Sequence, residues 1–279
     1  MEYRELRTEE IPEAVAVFIQ GVAELSRRYN LPVPPLDRDE RIPEFEHTYR
    51  TGIFRVAAVD GRLAAICSAS VRDGIWFLSK FFTTPEHHDK GWSKPLLDQV
   101  WQEGVRQGAS RFLVWSTQDP AALALYMRLG MLPGTQLFRF SGEPRRQPAV
   151  MAAEPLTIEA AAAIDRQVRG AGREMDHRFF LETQGRRGWL VGGLAYVYEQ
   201  HGWIGPAGWL DDELGPAALA YAASHAEGEV RLTVPGCNHQ AIRFALNNGL
   251  RVGVPSSHVL MTAPVGQMER YIPSGPELF

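Results

Sequence analysis

Ile11, Val15, Phe18, Val22 and Leu25 recur at helical spacing, so one apolar face runs along a helix that reaches Arg27 or Arg28. Ahead of it, Tyr3 to Arg7 reads as a short strand. Thr8 stands where an N-cap belongs, with Glu9 and Glu10 at the positive end of the helix dipole. Leu31-Pro-Val-Pro-Pro cannot continue the helix, because proline lacks the amide donor and clashes with the preceding turn. Ile53 to Val59 and Leu63 to Ser70 are strand formers on either side of Asp60-Gly61-Arg62, a hairpin turn in which glycine accepts positive φ. A second turn at Arg72-Asp-Gly leads into a third antiparallel strand, Ile75 to Thr83, ended by Pro85. Pro95 to Val105 reads as a helix opened by Gly91-Trp92-Ser93-Lys94, Arg111 to Ser116 as a strand, Ala121 to Leu129 as a short helix closed by Gly130, and Leu137 to Phe140 as a last strand. The order is β-α-β-β-β-α-β-α-β.

From Ser141 to Pro155 no apolar period persists, and Gly-Glu-Pro-Arg-Arg-Gln-Pro followed by Met-Ala-Ala-Glu-Pro suits a linker. The boundary is set there, giving domains 1–145 and 146–279. Beyond it, helices at Ile158 to Arg169, Pro216 to His225 and Gln240 to Asn247 alternate with strands at Trp189 to Tyr198, Val230 to Val234 and Ser257 to Met261. A length of 279 residues fits two domains or one α/β barrel, so length alone does not choose.

Composition narrows the function classes. A hydrophobic fraction of 45% and a charged fraction of 22% describe a chain that can bury sizeable cores. The net charge of -4 gives no general attraction to nucleic acid or to an anionic membrane, so any anion site must be local. Cys67 and Cys237 form no disulfide framework, and the histidines show no metal-ligand spacing. Met1 to Glu10 carries four glutamates rather than an apolar signal core, and no run of about 18 apolar residues occurs. These features predict a cytoplasmic protein without metal, nucleic-acid or membrane partners.

Three stretches, in order, resemble the GNAT superfamily of acyl-CoA-dependent N-acetyltransferases over about 130 residues. Phe77-Leu-Ser-Lys-Phe-Phe-Thr-Thr-Pro85 matches its central strand. His88-Asp89-Lys90-Gly91-Trp92-Ser93 sits where the family has (Arg/Gln)-x-x-Gly-x-(Gly/Ala). Asp119-x-x-Ala122-x-x-Leu125-Tyr126-x-x-x-Gly130-Met131 matches Asn-x-x-Ala-x-x-Leu-Tyr-x-x-x-Gly-Phe. The resemblance implies an α/β fold, with two GNAT-like domains in tandem, each a central mixed, largely antiparallel sheet flanked by helices. It implies acetyl-CoA as cosubstrate and an amine of a small molecule as acceptor, in a monomer or homodimer. It assigns pantetheine contacts to Phe81, Phe82 and Thr83, with Asp119 and Ala122 on the helix that follows.

The loop chemistry can be argued on its own terms. A turn entering a helix turns successive backbone amides outward, and the helix dipole adds partial positive charge, so main-chain donors can hold a diphosphate. Gly91 permits close approach, the amides of Asp89, Trp92 and Ser93 join it, Lys90 and Lys94 add charge, and His88 offers a donor. The plainer alternative is a turn with solvated lysines. His88 replaces the family's arginine or glutamine, and Ser93 replaces a small residue beside bulky Trp92.

Acyl transfer needs a neutral amine, an environment for the oxyanion and a proton for the departing thiolate. The resemblance gives the proton to Tyr126, whose ordinary pKa near 10 keeps it protonated at neutral pH. A core tyrosine is the structural alternative. The central strand holds no carboxylate, so the base is unassigned: Glu86, Glu46, His47, Asp73 and the Phe279 terminus are the candidates. The segment from Leu31 to Tyr49, which shapes the acceptor site in relatives, mixes acidic groups with Phe45 and Tyr49.

In the second half, Asn238-x-x-Ala241-x-x-Phe244-Ala245-x-x-x-Gly249-Leu250 repeats the first-half helix pattern, with Ala245 in the place of Tyr126. Asp211, Asp212 and Glu213 occupy the corresponding loop and would repel a diphosphate. Ala163-Ile-Asp165-Arg-x-x-Arg-Gly170-x-Gly-Arg173 resembles the start of the C-terminal domain of tandem bacterial GNAT proteins. A silent partner domain is the expectation, with chance similarity of two helix-glycine segments as the alternative. A non-enzymatic acyl-CoA-binding or regulatory protein stands as the alternative to an enzyme.

Overall fold

The computed structural model describes residues 1–33, 35–88, 90–145 and 151–279, with the backbone alone at 254–256. The chain forms two compact units, Met1–Ser110 and Arg111–Phe279. Asp89 and residues 146–150 of the expected linker lie outside the described residues.

In the first unit the elements are β1 (Glu2–Glu5), α1 (Ile11–Arg28), α2 (Arg38–Thr51), β2 (Ile53–Val59), β3 (Arg62–Arg72), β4 (Ile75–Thr83) and α3 (Ser93–Arg106). The sheet runs β1-β2-β3-β4, antiparallel throughout. Both hairpins form as their turn residues demand: Asp60 and Gly61 have φ of 49° and 78°, and Asp73 and Gly74 have 44° and 78°. The expected cap at Thr8 is not made. A 3-10 turn at Thr8–Glu10 precedes α1, the Thr8 hydroxyl donates to the Tyr49 hydroxyl at 3.2 Å, and the Glu10 carboxylate accepts from the Arg7 amide at 3.0 Å. Glu10 also receives both ends of the Arg4 guanidinium, so an acid rather than a hydroxyl orders this entry.

The apolar stripe of α1 is buried at Ile11, Val15 and Phe18, against Phe45, Phe54, Val56, Leu63 and Ile66. One extra residue in β4 decides which side chains face which helix. Ser68 pairs with Lys80 but Ala69 pairs with Leu78, so Ser79 is the additional residue of a bulge. A bulge reverses the in-out alternation beyond it. Trp76, before the bulge, therefore lies against Gly104 of α3, while Phe82, after it, lies against Gly21 of α1. A Cβ at Gly21 would stand 2.6 Å from the Phe82 ring, so that close approach requires glycine.

The second unit holds β5 (Arg111–Ser116), α4 (Pro120–Arg128), β6 (Leu132–Gly142), β7 (Ala153–Pro155), α5 (Ile158–Val168) and α6 (Glu174–Arg178), the last extended by a π-helical turn at Phe179–Thr183. After these come β8 (Arg187–Val191), β9 (Ala195–Gln200), β10 (Trp203–Trp209), α7 (Leu214–His225), β11 (Val230–Pro235), α8 (His239–Asn247), β12 (Arg251–Met261) and β13 (Tyr271–Ile272). The strand expected from Trp189 to Tyr198 is two strands, broken where Gly192 and Gly193 take φ of 57° and 70°. β7, which falls within the expected linker, and β10, α6 and β13 have no counterpart in the sequence reading.

The strand order is β5-β12-β6-β11-β10-β9-β8-β7, with β13 on β10. All ladders in it are antiparallel except β10 with β11. β12 lies between β5 and β6, and β6 lies between β12 and β11. In each β-α-β repeat, β5-α4-β6 and β11-α8-β12, the closing strand therefore pairs beside the closing strand of the other repeat. Its core gathers Phe140, Val197, Trp209, Leu219, Val230, Leu232, Val234, Ala241 and Phe244.

Candidate functional site

The loop between β4 and α3 is the stretch that the sequence reading offers as an anion cradle. Gly91 takes φ of 73°, and a Cβ added there would meet nothing within 4 Å, so its surroundings are open. Trp92 flanks α3 with no side-chain cap, so among the described residues no side chain caps the first-turn amides. Lys90, Gly91 and Lys94 are exposed, and Trp92 and Ser93 are half-buried. Trp92 does not plug the turn: its carbonyl accepts from the Tyr3 hydroxyl at 3.0 Å, and its ring lies beside His87 at 5.0 Å between centroids, with the Lys90 ammonium 4.9 Å from it.

The charged side chains are arranged less simply than expected. Lys94 pairs with Asp98 at 2.7 Å, which offsets its charge. His88 places Nε2 2.9 Å from the Thr83 carbonyl and Nδ1 2.9 Å from Arg28 Nη2. Arginine only donates, so Nδ1 accepts and the ring proton sits on Nε2, donated to Thr83. His88 thus orders the end of β4. Phe81, Phe82 and Thr83 are half-buried, and the Phe82 ring meets Phe18 edge-on at 5.0 Å, so Phe82 packs the α1 side.

A charged pair that sequence reasoning missed lies within this unit. Lys80 on β4 places Nζ 2.7 Å from Glu44 Oε1 on α2, 3.2 Å from Ser79 Oγ, 3.4 Å from Thr48 Oγ1 and 4.7 Å above the Phe45 ring. Both residues are buried. The bulge at Ser79 turns Lys80 towards α2, and the only sequence signal was a lone cation inside an apolar strand. Of the candidate bases in this unit, Glu86 is exposed, Glu46 pairs with Arg50 at 3.2 Å, Asp73 holds a turn, and His47 is buried on α2.

In the second unit, Tyr126 is buried on α4, and Asp119 caps that helix by accepting from the Ala121 amide at 3.1 Å. Ala122 is half-buried one turn ahead of it. The repeated pattern has the same local cause: Asn238 caps α8 by accepting from the Ala241 amide at 3.0 Å, and its Nδ2 donates to the Tyr271 carbonyl at 3.2 Å. Ala245 is buried and carries no proton to give. The loop before α7 is occupied by its own acids. Asp211 accepts from the Glu213 amide at 2.8 Å, and Asp212 pairs with Arg270 at 2.9 Å.

The stretch from Asp165 to Arg173 builds a fully buried cluster rather than a cofactor site. Arg173 Nε donates to Asp165 Oδ2 at 2.6 Å, His177 Nε2 lies 2.9 Å from the same oxygen, and the Tyr196 hydroxyl donates to Oδ1. Arg169 and Arg173 also donate to the Phe279 carbonyl at 3.0 and 3.1 Å, so the cluster pins the segment that ends there. Burial alone would raise the Asp165 carboxyl, but Arg173, His177 and Arg169 together outweigh it and hold Asp165 well below the usual carboxylate range. Burial lowers His177, with Asp165 offsetting part of the effect. Among the described residues no group of three or more His, Cys, Asp or Glu could hold a metal, and no helix is long and apolar enough to cross a membrane.

Residues 19–131 match the sequence model of the Acetyltransferase (GNAT) family. No curated protein matches the chain significantly. Among solved structures, a candidate acetyltransferase from Pyrococcus horikoshii superposes with a TM-score of 0.82 at 14% identity, over 100% of this chain and 95% of that one. A GCN5-related N-acetyltransferase from Sphaerobacter thermophilus gives 0.63 at 14% identity, over 95% and 96%. Another from Anabaena variabilis gives 0.61 at 13%, over 93% and 72%. Residues 19–131 thus carry the sequence pattern of the Acetyltransferase (GNAT) family, and the chain as a whole has the mixed α/β fold of GNAT proteins.

Proposed function

We propose that this chain is a cytoplasmic N-acetyltransferase that takes an acetyl group from acetyl-CoA and places it on an amine of a small molecule. The observation that carries the reading is the turn at Lys90 to Lys94. An open glycine with positive φ enters a 14-residue helix that has no side-chain cap, which suits backbone donors for a diphosphate. Acetyl-CoA would supply the activated acetyl group. The amides of Gly91, Trp92, Ser93 and Lys94 would bind its anionic part, with Lys90 adding local charge. Tyr126 would hold a proton for the leaving sulfur, a role that its burial on the α4 helix supports by limiting competition from water.

The reading also holds that the second half, 146–279, is a GNAT-like partner without its own chemistry, since its loop acids are engaged locally and Ala245 offers no proton. Tyr126→Phe is expected to lower kcat about 100- to 10,000-fold, the usual range for a lost general acid, with acetyl-CoA affinity nearly unchanged. Release of free thiol with a panel of small amines measures the first quantity and calorimetry the second. Normal turnover in the Phe variant would remove Tyr126 from the mechanism. A second reading, a regulatory acyl-CoA-binding protein, is favoured by β4 carrying no carboxylate and by the buried Glu44 being paired with Lys80. Cofactor binding without transfer to any amine of the panel would select it.

A further inference from the structure

We propose that Arg28, at the end of α1, is the side-chain cation that meets the diphosphate of the acyl carrier, and that His88 is the positioning residue that holds it there. This rests on the reading that the turn after β4 binds acyl-CoA.

The turn needs local positive charge, because the whole chain carries a net charge of -4. The cations adjacent in sequence supply only part of it. Lys94 is paired with Asp98 at 2.7 Å, Lys90 rests over the Trp92 ring, and His88 gives its ring proton to the Thr83 carbonyl. Arg28 comes from 60 positions away in sequence and brings Nη2 to 2.9 Å from His88 Nδ1. Its nearest carboxylate, Glu24 Oε1, stands at 3.7 Å, beyond hydrogen-bond reach, and its side chain is 40% exposed. A guanidinium has five donors in a planar fork that matches two phosphate oxygens. One donor fixed on an imidazole anchored to the backbone leaves the others available while restricting the side chain, which lowers the entropy lost on binding.

A histidine at this position thus serves by holding an arginine delivered from another helix. The contact Thr83 carbonyl to His88 Nε2, then His88 Nδ1 to Arg28, is continuous and ties the end of β4 to the end of α1.

The test is calorimetric titration of the full-length protein with acetyl-CoA at several salt concentrations, on the wild type, Arg28→Ala, Arg28→Lys and His88→Ala. Arg28→Ala is expected to weaken binding about 10- to 100-fold, as for a lost hydrogen bond to a charged group, and to reduce the salt dependence of Kd because one fewer cation meets the anion. Arg28→Lys recovers part of both effects, and His88→Ala shows a smaller loss with the salt dependence also reduced. Unchanged affinity in Arg28→Ala, or weaker binding with the wild-type salt dependence, would overturn the assignment while leaving the loop reading intact. A wild type that binds no acetyl-CoA would instead remove that reading, and the assignment with it.

Discussion

Expressed alone, residues 1–145 are expected not to fold into a stable domain. In the intact chain β12 lies between β5 and β6, and β6 has β11 on its other side. Cutting after residue 145 removes both neighbours of β6 and one neighbour of β5. Leu137 and Phe140 of β6, on opposite faces of the sheet, are buried in the whole chain, and each would lose roughly 2–3 kcal/mol of burial. Their ladder groups would lose their partners as well. A net stability of about 5–15 kcal/mol does not survive such a loss. The fragment should show poor amide dispersion and rapid proteolysis where the full chain shows a cooperative transition. A soluble, well-dispersed fragment would contradict the pairing.

The second large effect concerns the buried cluster around Asp165. Arg173→Met leaves Asp165 without its arginine in a site where both are inaccessible to solvent, and breaking such a pair costs about 3–5 kcal/mol. For a chain of this size the melting temperature should fall by about 6–20 °C. Combining Asp165→Leu with Arg173→Met should cost less than the single change, because Asp165 is then not left as a buried charge without its arginine. Acid should act on the same cluster. The folded His177 sits below its ordinary pKa, so its contribution is complete above about pH 6.5 and declines as pH falls below that value. Asp165 adds a further loss as pH falls below about 4, the unfolded carboxyl value, towards its lower folded one. Thermal melts of the single and double variants across pH 2 to 8 measure both, and an Arg173→Met melt equal to wild type would refute the role given to the pair.

The features that the sequence made readable have local causes. Asp60-Gly61 and Asp73-Gly74 fix their own backbone, so β2, β3 and β4 could be placed to within a few residues. The α1 stripe is readable for the same reason, whereas Asp119 and Asn238 entered only as positions of a helix pattern and the structure makes them caps. The turn at Gly91 was legible because positive φ next to a helix start has few other solutions. What escaped depends on distant partners. Val191-Gly-Gly-Leu-Ala is one apolar run by pattern, and only the backbone shows that two glycines fold it into a hairpin. The mutual pairing of β6 and β12 leaves no local trace, since either could pair elsewhere with the same side chains inward. Lys80 and Glu44 meet only because a bulge reorients one strand, and Arg28 meets His88 only because two elements end side by side.

Calorimetric stoichiometry with acetyl-CoA tests the central claim most directly, because the two repeats make different demands. The account predicts one acetyl-CoA per chain, held at the turn from Lys90 to Lys94, with heat of binding abolished or strongly reduced in Gly91→Val. Two equivalents per chain, or no binding at all, would contradict it.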